Sequence, residues 1–335
     1  MATDRVVLLC EKQRVFPYAV DESAFTGIDV VIEEVTIESR SDIIDAVGDA
    51  DVVMSGIKLD AEMIGAMSKA RGICIFGHGF DSVDIDAATK AGIIVTNAAY
   101  ICNWEVANHT AAMILALNRN LVQYDRAMRT GVWDRAAGRP VGPLDGEVVG
   151  LVGLGTIGRS LARRLQPFGL RLMAFDPPAE EWSFREYGVE RCGDLHDMLK
   201  VSDYVAVQVP LNESTYHMIA AAELAVMKNS AMLVSCCRGG VVDEEALVRA
   251  LTDGEIAKAA LDVFEQEPCD PDHPLLKMDN FVASPHAAGE STVSAQWAAV
   301  TASREAALLL QGQWPRRVVN PEVRQHLRPF VTDEE

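Results

Sequence analysis

The 335-residue sequence contains no hydrophobic run long enough to cross a membrane. A membrane-spanning helix needs about 20 consecutive apolar residues. The N-terminal segment MATDRVVLLC has an acid at Asp4 and no hydrophobic stretch of secretory length. The seven cysteines are odd in number, and only Cys236 and Cys237 stand close together, without the spacing of metal ligands. We therefore expect a cytoplasmic protein with reduced thiols and no bound metal.

Basic residues are also scarce. Lys and Arg number 30 against 49 Asp and Glu, which gives a formal net charge of −19. An acidic surface of this kind argues against nucleic acid and against anionic membranes as partners. An anionic substrate would need a local positive site to attract it, because charges are screened over about 8 Å at physiological salt.

The length and composition suit two globular domains, since a single core stops growing at about 250–300 residues. Short β-branched runs alternate with helical segments in the first hundred residues. Strands are predicted at 5–10, 30–35, 51–54, 73–76 and 93–96, and helices at 41–47, 61–70 and 83–91. This alternation predicts a parallel, doubly wound sheet with helices on both faces.

The rest of the chain follows the same alternation after one long helix, predicted at 105–129 and followed by an irregular segment. Helices are then predicted at 195–199, 244–251 and 291–310, and strands at 203–209, 232–235, 259–263 and 281–284. The last helix could pack back on the first domain. The predicted fold class is therefore α/β, with two doubly wound parallel-sheet domains.

The clearest local signal reads EVVGLVGLGTIGRSLARRLQPFGLRLMAFD. An apolar strand leads into a turn with Gly153, Gly155 and Gly158, and an amphipathic helix and a second strand follow. The three glycines suit a tight turn, a close approach of the backbone to a pyrophosphate, and close contact of helix and strand. The context predicts a dinucleotide site, with an ordinary glycine-rich turn as the alternative.

An acid ends the second strand of this motif. Asp176 lies 176 − 158 = 18 residues after Gly158, close to the spacing of about 20 for the acid that binds the adenine ribose. Pro177 and Pro178 follow it, with no adjacent Arg or Lys to take a 2′-phosphate. NAD is therefore favoured over NADP, with a surface-exposed acid at the end of a strand as the alternative.

Three polar residues follow the last three predicted strands: Arg238, Glu267 and His286. Open α/β sheets bind ligands outside the carboxyl ends of their strands. A guanidinium can hold the carboxylate of a 2-keto acid, and an imidazole can give its carbonyl oxygen a proton while hydride reaches the carbon. A carboxylate beside the imidazole fixes its tautomer. Taken singly, each residue could also be an ordinary surface or loop residue.

The chain resembles the D-isomer-specific 2-hydroxyacid dehydrogenases over nearly its whole length. The motifs that carry the resemblance are GHGFDSVDIDAATKAGIIVTNAA, EVANHTAAMILAL, LVGLGTIGRSLARRL with AFDP, VPLNEST, LVSCCRGGVVDEEAL, AALDVFEQEP and SPHAAG. Several separated motifs in the correct order are far more specific than any one of them.

The resemblance implies that Arg238 binds substrate, that Glu267 tunes the histidine, and that His286 is the general acid and base. It implies that the backbone amides near Gly77, His78 and Gly79 hold the substrate carboxylate. The implied cofactor-binding residues are Gly153, Gly155, Thr156, Ile157, Gly158, Asp176, Val209, Pro210, Thr215, Cys236, Cys237, Asp262, Ala288 and Gly289, with Asp262 on the nicotinamide side.

The resemblance also implies an architecture. A flavodoxin-like substrate domain would comprise residues 1–101 and 287–335, and a Rossmann NAD-binding domain residues 102–286. The long helix near 105–129 would form a homodimer contact. Cys236 and Cys237 depart from the usual threonine and small residue before the arginine, so this thiol pair is either merely small and buried or oxidisable.

The activity implied is NAD(H)-dependent interconversion of a small 2-keto acid and a D-2-hydroxy acid, with glyoxylate or hydroxypyruvate as the first candidates. Oxidation of 3-phosphoglycerate or of phosphite by the same residues is an alternative, although the chain ends at Glu335 without room for an appended regulatory domain. A different class of protein, an NAD-sensing corepressor, is the remaining alternative.

Overall fold

The computed structural model describes residues 3–11, 19–137 and 141–327. The chain forms two compact units. We call Met1–Cys102 with Glu290–Glu335 the terminal unit, and Asn103–Gly289 the central unit. Which unit binds which ligand stays a prediction.

All strands pair in parallel within two sheets. The terminal unit has five strands in the order β2-β1-β3-β4-β5, and the central unit has seven in the order β12-β11-β10-β9-β6-β7-β8. The strands are β1 (Asp4–Glu11), β2 (Val30–Ile37), β3 (Val52–Ser55), β4 (Gly72–Ile75), β5 (Ile94–Asn97), β6 (Val148–Val152), β7 (Arg171–Phe175), β8 (Glu190–Arg191), β9 (Tyr204–Val207), β10 (Met232–Ser235), β11 (Lys258–Leu261) and β12 (Phe281–Ala283).

Helices connect the strands in the described ranges. They are α1 (Arg40–Val47), α2 (Ala61–Ala66), α3 (Ile85–Lys90), α4 (Asn103–Arg119), α5 (Leu121–Arg129), α6 (Thr156–Leu165), α7 (Glu181–Glu186), α8 (Leu195–Val201), α9 (Ala221–Val226), α10 (Glu244–Asp253) and α11 (Thr292–Leu310). No helix in these ranges is both long and apolar enough to span a bilayer. The α/β fold class with two parallel sheets is the one predicted.

The sheet of the terminal unit separates two apolar layers. Val7 and Leu9 of β1 pack on one side with residues of α1, α2 and α3. Val6 and Leu8 pack on the other side with the alanines and leucines of α11. Successive side chains of a strand point to opposite faces. A continuous apolar run is therefore what a strand covered on both faces requires.

Side-chain oxygens cap the N-termini of several helices. Asp60 accepts hydrogen bonds from the amides of Glu62 and Met63 at the start of α2. Asp84 and Asp243 do the same for α3 and α10. The first-turn amides of a helix have no partner within the helix, so an N-terminal aspartate both accepts from them and suits the positive end of the dipole.

The strand order of the central unit reverses between β6 and β9. Ligands of such sheets bind at this topological switch point, outside the carboxyl ends of the strands. The glycine turn predicted from the sequence follows β6, and it therefore lies at the switch point.

The prediction of one helix over 105–129 was wrong. Asn120 has a left-handed φ of 53°, and it separates α4, much of which is buried, from α5, which has no buried residue. Lys258 donates to the Asn120 side-chain oxygen and to the Leu117 carbonyl at 3.0 Å. Asparagine tolerates the left-handed region better than most residues, and the partly buried Lys258 from β11 stabilises the break.

Smaller differences lie at element ends and in short elements. Strand β9 ends at Val207 instead of 209, and α2 ends at Ala66 instead of 70. Helices α7 and α9 and the two-residue strand β8 were not predicted. Each is six residues or shorter, too short for a periodic pattern to stand out.

Replacing Gly72 by alanine should destabilise the terminal unit. A Cβ at this start of β4 would overlap Leu309 Cδ1 of α11 and lie 2.8 Å from the Ile94 carbonyl oxygen. Overpacking of this kind costs about 1–3 kcal/mol, measurable as a lower free energy of unfolding in a denaturant titration. Gly65→Ala is the control, because a Cβ there meets nothing within 4 Å in an exposed turn of α2. Equal unfolding free energies for wild type and Gly72→Ala would contradict this packing.

Candidate active site

The glycine turn after β6 has the geometry of a pyrophosphate cradle. Gly153 has a φ of 99°, and a Cβ there would lie 2.5 Å from the Gln208 carbonyl oxygen. A Cβ on Gly158 would overlap the carbonyl oxygen of Gly153. A Cβ on Gly155 would meet nothing within 4 Å. Two glycines are thus required by the turn itself, and the other keeps the space in front of it open, as a bound dinucleotide needs.

The backbone amides of Thr156 and Ile157 begin α6, directly after Gly155. First-turn amides lack partners within the helix, and the dipole makes this end positive. Asp176 follows β7, and its Oδ2 accepts a hydrogen bond of 2.6 Å from the Leu154 amide. The predicted ribose-binding acid is therefore attached to the turn that would hold the pyrophosphate. These residues fit the dinucleotide predicted from the sequence.

An arginine from β8 also approaches this region. Arg191 donates to the Pro177 carbonyl at 3.3 Å and lies 3.5 Å from Glu181. The residues adjacent to Asp176 along the chain give no sign of this cation, which the fold brings next to Pro177. The predicted preference for NAD over NADP therefore rests on the Asp176 carboxylate, and not on a lack of positive charge nearby.

Other predicted cofactor residues lie on the loops after β9 and β10. Val209 and Pro210 follow β9, and Cys236 and Cys237 follow β10. The Thr215 hydroxyl donates to the Pro210 carbonyl at 2.6 Å and accepts from the Asn212 amide at 2.8 Å. Its role within the described chain is to close the loop that carries Val209 and Pro210.

Both thiols of the cysteine pair are buried. Cys236 Sγ lies 3.8 Å from Met113 Sδ, and Cys237 Sγ lies 3.2 Å from the Ser235 hydroxyl. Burial raises the pKa of Cys236 to about 12 and also raises the pKa of Cys237. Because the thiolate is the reactive form, these surroundings favour the interpretation of the pair as small buried residues over that of an oxidisable switch.

The three predicted catalytic residues lie together at the carboxyl ends of β10, β11 and β12. His286 Nδ1 is 2.6 Å from Glu267 Oε2. Burial by itself would raise the pKa of Glu267, but the hydrogen bond and charge of His286 and the charge of Arg238 lower it below its ordinary value. The carboxylate therefore stays ionised at neutral pH, and as an acceptor it fixes a proton on Nδ1.

The turn that carries His286 is held by Asp262. His286 has a left-handed φ of 52°. Asp262 is 1% exposed; its Oδ1 accepts from the Ser284 hydroxyl and from the Ala287 amide at 2.9 Å, and its Oδ2 accepts from the Ala288 amide at 2.8 Å. The Asp262 carbonyl accepts from the His286 amide at 2.7 Å. A non-glycine residue keeps a left-handed backbone only where the surrounding contacts fix that conformation.

Asp262 was predicted to contact the nicotinamide side of the cofactor, and that role stays a prediction. The structure gives this carboxylate an internal role that sequence reasoning missed. His109 Nε2 lies 2.9 Å from the Ser284 hydroxyl, so α4 also contributes to this network. His109 and Ser284 both lie in motifs of the family resemblance, and that position was the available signal.

The predicted substrate-binding segment lies in the terminal unit. The His78 carbonyl accepts from Asn97 Nδ2 at 2.6 Å, and His78 Nδ1 accepts from the Tyr100 amide at 3.3 Å. The ring is thereby oriented against Tyr100, with a centroid distance of 6.2 Å in an edge-to-face arrangement. The assignment of Gly77, His78 and Gly79 to substrate binding stays a prediction.

Comparison with known proteins identifies the family. The family profile described as "D-isomer specific 2-hydroxyacid dehydrogenase, NAD binding domain" matches residues 111–288. A glyoxylate reductase of Thermofilum pendens is 40% identical over 296 residues, which cover 85% of this chain and 86% of that protein. The chain belongs to the D-isomer-specific 2-hydroxyacid dehydrogenases. The resemblance stated from the motifs is confirmed, and this dehydrogenase is an NAD-dependent oxidoreductase.

Two further relatives of the dehydrogenase are a D-3-phosphoglycerate dehydrogenase and a second reductase. A D-3-phosphoglycerate dehydrogenase of Methanocaldococcus jannaschii is 37% identical over 308 residues, which cover 90% of this chain and 58% of that protein. An NADPH-dependent glyoxylate/hydroxypyruvate reductase of Sinorhizobium meliloti, solved in complex with NADP and malonate, is 29% identical with a TM-score of 0.81, covering 96% of this chain and 98% of that one.

Asp176→Ala should weaken NADH binding by this dehydrogenase by about tenfold or more, since a hydrogen bond to a charged group contributes about 1.5–3 kcal/mol. The preference for NADH over NADPH should narrow as well, because Arg191 remains beside Pro177. Titration of both cofactors by quenching of protein fluorescence measures the two dissociation constants. Asp197→Ala on α8, an exposed acid paired with Lys200, is the control. An unchanged preference in Asp176→Ala would contradict the ribose contact.

Proposed function

We propose that this dehydrogenase reduces a small 2-keto acid, glyoxylate or hydroxypyruvate first, to the corresponding D-2-hydroxy acid. The observation that carries the proposal is the 2.6 Å contact between His286 Nδ1 and Glu267 Oε2 beside the charge of Arg238. The relative from Thermofilum pendens, named a glyoxylate reductase, supports the choice of substrate.

The proposed reaction needs a hydride donor, a group that binds the substrate carboxylate, and a proton donor. NADH, when bound at the glycine turn, supplies the hydride for the keto carbon. Arg238 binds the carboxylate of the keto acid and polarises its carbonyl. His286, protonated on both nitrogens, gives the Nε2 proton to the carbonyl oxygen, and Glu267 keeps the other proton on Nδ1. General acid assistance of this kind contributes about 10²–10⁴ in rate.

The Gly77–Gly79 segment would add backbone amides for the substrate carboxylate. In this proposal the terminal unit binds the substrate and the central unit binds the cofactor. The protein has a net charge of −19, so an anionic keto acid depends on such local donors. Such donors act on the anion at short range, where screening by salt is weak.

A second candidate is the oxidation of 3-phosphoglycerate, favoured by the 37% identity to the Methanocaldococcus jannaschii enzyme. The same residues would act in reverse, with His286 accepting the hydroxyl proton and bound NAD serving as the hydride acceptor.

The cytoplasm is the proposed location. No disulfide involves Cys74, Cys192, Cys236, Cys237 or Cys269 in the described part of the chain, which supports this proposal.

We also propose a homodimer through the central unit. Helix α5 has no buried residue, and Leu121 and Met128 on it are exposed. Trp133, in the segment after it, is 86% exposed. Exposed apolar groups gathered in one segment mark a protein interface, and a second copy of the chain is the partner that the family resemblance implies.

Arg238→Ala should lower kcat/KM for keto-acid reduction by about 10²–10⁴-fold, because charge-assisted and bidentate hydrogen bonds are lost. NADH affinity should change little, since the partner of this arginine is the substrate. The measurement follows NADH absorbance with glyoxylate, hydroxypyruvate and other 2-keto acids, and with 3-phosphoglycerate and NAD in the reverse direction.

Arg249→Ala is the matched control for this experiment, because Arg249 is exposed on α10 and pairs with Glu245. Wild-type turnover in Arg238→Ala would contradict the assignment of this residue. A protein that binds NADH tightly and turns over none of these acids would instead be a sensor of the corepressor type.

Trp133→Glu should convert the dimer to a monomer, because a charge would replace an apolar anchor at the interface. Light scattering coupled to size-exclusion chromatography measures the molar mass. Trp297→Glu, which alters another exposed tryptophan on α11 of the terminal unit, should leave a dimer. A wild-type mass equal to one chain would refute the dimer.

A further inference from the structure

Two glutamates near the predicted catalytic residues each accept a hydrogen bond from the backbone amide of the other. The Glu244 amide donates to Glu265 Oε1 at 3.1 Å, and the Glu265 amide donates to Glu244 Oε1 at 2.6 Å. Glu244 is the first residue of α10, and Glu265 lies in the loop after β11. We call this reciprocal pair the glutamate clasp. It ties the start of a helix to the loop that carries Glu267.

A histidine contacts each member of the clasp. His273 Nε2 lies 3.2 Å from Glu244 Oε2, and His273 Nδ1 accepts from the Leu275 amide at 3.3 Å. Because Nδ1 accepts, the ring carries its proton on Nε2 and donates it to Glu244. His217 Nε2 lies 3.1 Å from Glu265 Oε1. The clasp therefore has a hydrogen-bond donor on each carboxylate.

The clasp acts on the segments that position Arg238 and Glu267. Gly239, next to Arg238, packs so tightly on the loop after β11 that a Cβ there would overlap the Phe264 carbonyl and the Glu265 amide. The Phe264 amide in turn donates to Glu267 Oε1 at 3.0 Å. Displacing Glu265 would therefore move both the turn after Arg238 and the acid that orients His286.

Glu244 is also a buried charge, with 7% of its surface exposed. Burial raises the pKa of Glu244 above its ordinary value. The Glu265 amide and the charge of His273 lower it, whereas the charges of Glu265 and Glu267 raise it further. The titratable groups that face the clasp are Asp243, His217, Glu265, Glu267, Cys269 and His273.

The helix dipole alone does not explain an acid buried at this position. An acid in the first turn of an exposed helix contributes about 0.3–1 kcal/mol, and Glu245 already supplies one. The side chain of Glu245 is 86% exposed and pairs with Arg249. Burying a carboxylate costs free energy unless it is paired and hydrogen-bonded. The location of Glu244 therefore calls for a role besides capping α10.

We infer that Glu244 is a positioning residue for this dehydrogenase. Through the clasp it keeps the turn after Arg238 in register with the loop of Glu267. The inference rests on the proposed catalytic roles of Arg238, Glu267 and His286.

Glu244→Ala tests the clasp, because it removes the acceptor of the Glu265 amide. We expect kcat/KM for keto-acid reduction to fall by about tenfold through misplacement of reacting groups. Glu244→Gln should recover most of this loss, because the amide oxygen of glutamine can still accept from the Glu265 amide. The KM for NADH should stay within twofold of wild type.

Glu245→Ala is the matched control, one residue along the same helix and exposed, and it should keep the wild-type kcat/KM. NADH binding and thermal unfolding, measured on each variant, identify any that fail to fold. If Glu244→Ala fails to fold, His273→Ala, which removes the side chain that contacts Glu244, should lower kcat/KM in the same direction.

A folded Glu244→Ala variant with the kcat/KM of wild type would overturn the inference. So would an equal loss in Glu245→Ala, or a loss in Glu244→Gln as large as that in Glu244→Ala. Failure of the proposed function would differ, because wild type itself would then turn over no keto acid, or Arg238→Ala would retain full turnover.

Discussion

The buried carboxylate of Asp262 is the constraint on which the candidate active site depends. It accepts hydrogen bonds from Ser284, Ala287 and Ala288, and these bonds flank His286, whose backbone is left-handed. A buried charge is stable only where it is paired with donors, and a strained backbone only where its surroundings fix it. The donors of this turn pair the Asp262 charge, and the same bonds fix the His286 backbone. The imidazole is thereby held 2.6 Å from Glu267.

The charge distribution of this region follows from the same principle. Carboxylates predominate around the imidazole, with Glu267 in contact with it and the glutamate clasp behind. Arg238 is the predicted substrate-binding cation in this acidic region, and its charge lowers the pKa of Glu267. An acidic protein can thus bind an anion by concentrating donors at one place. Glu267, as an acceptor, keeps a proton on Nδ1 of the imidazole.

Much of the fold could be predicted because its signals are local. The strands are apolar runs buried on both faces, and the glycine turn needs specific residues at specific positions. The break of the predicted long helix at Asn120 could not be predicted from the sequence, because it depends on Lys258 of β11, which is 138 residues away. The approach of Arg191 to Pro177 was missed for the same reason: β8 is too short to predict, and only pairing with β7 places it.

By itself the sequence determined the fold class, the family, the dinucleotide site and the candidates Arg238, Glu267 and His286, because each depends on residue type, order and spacing. Only the tertiary structure decided which groups support them. The bonds of Asp262, the reciprocal pairing of Glu244 with Glu265, and the buried state of the thiols of Cys236 and Cys237 depend on loops from separate strands meeting at one edge of a sheet. No local pattern encodes those contacts, since the partners are brought together by strand order and not by spacing along the chain.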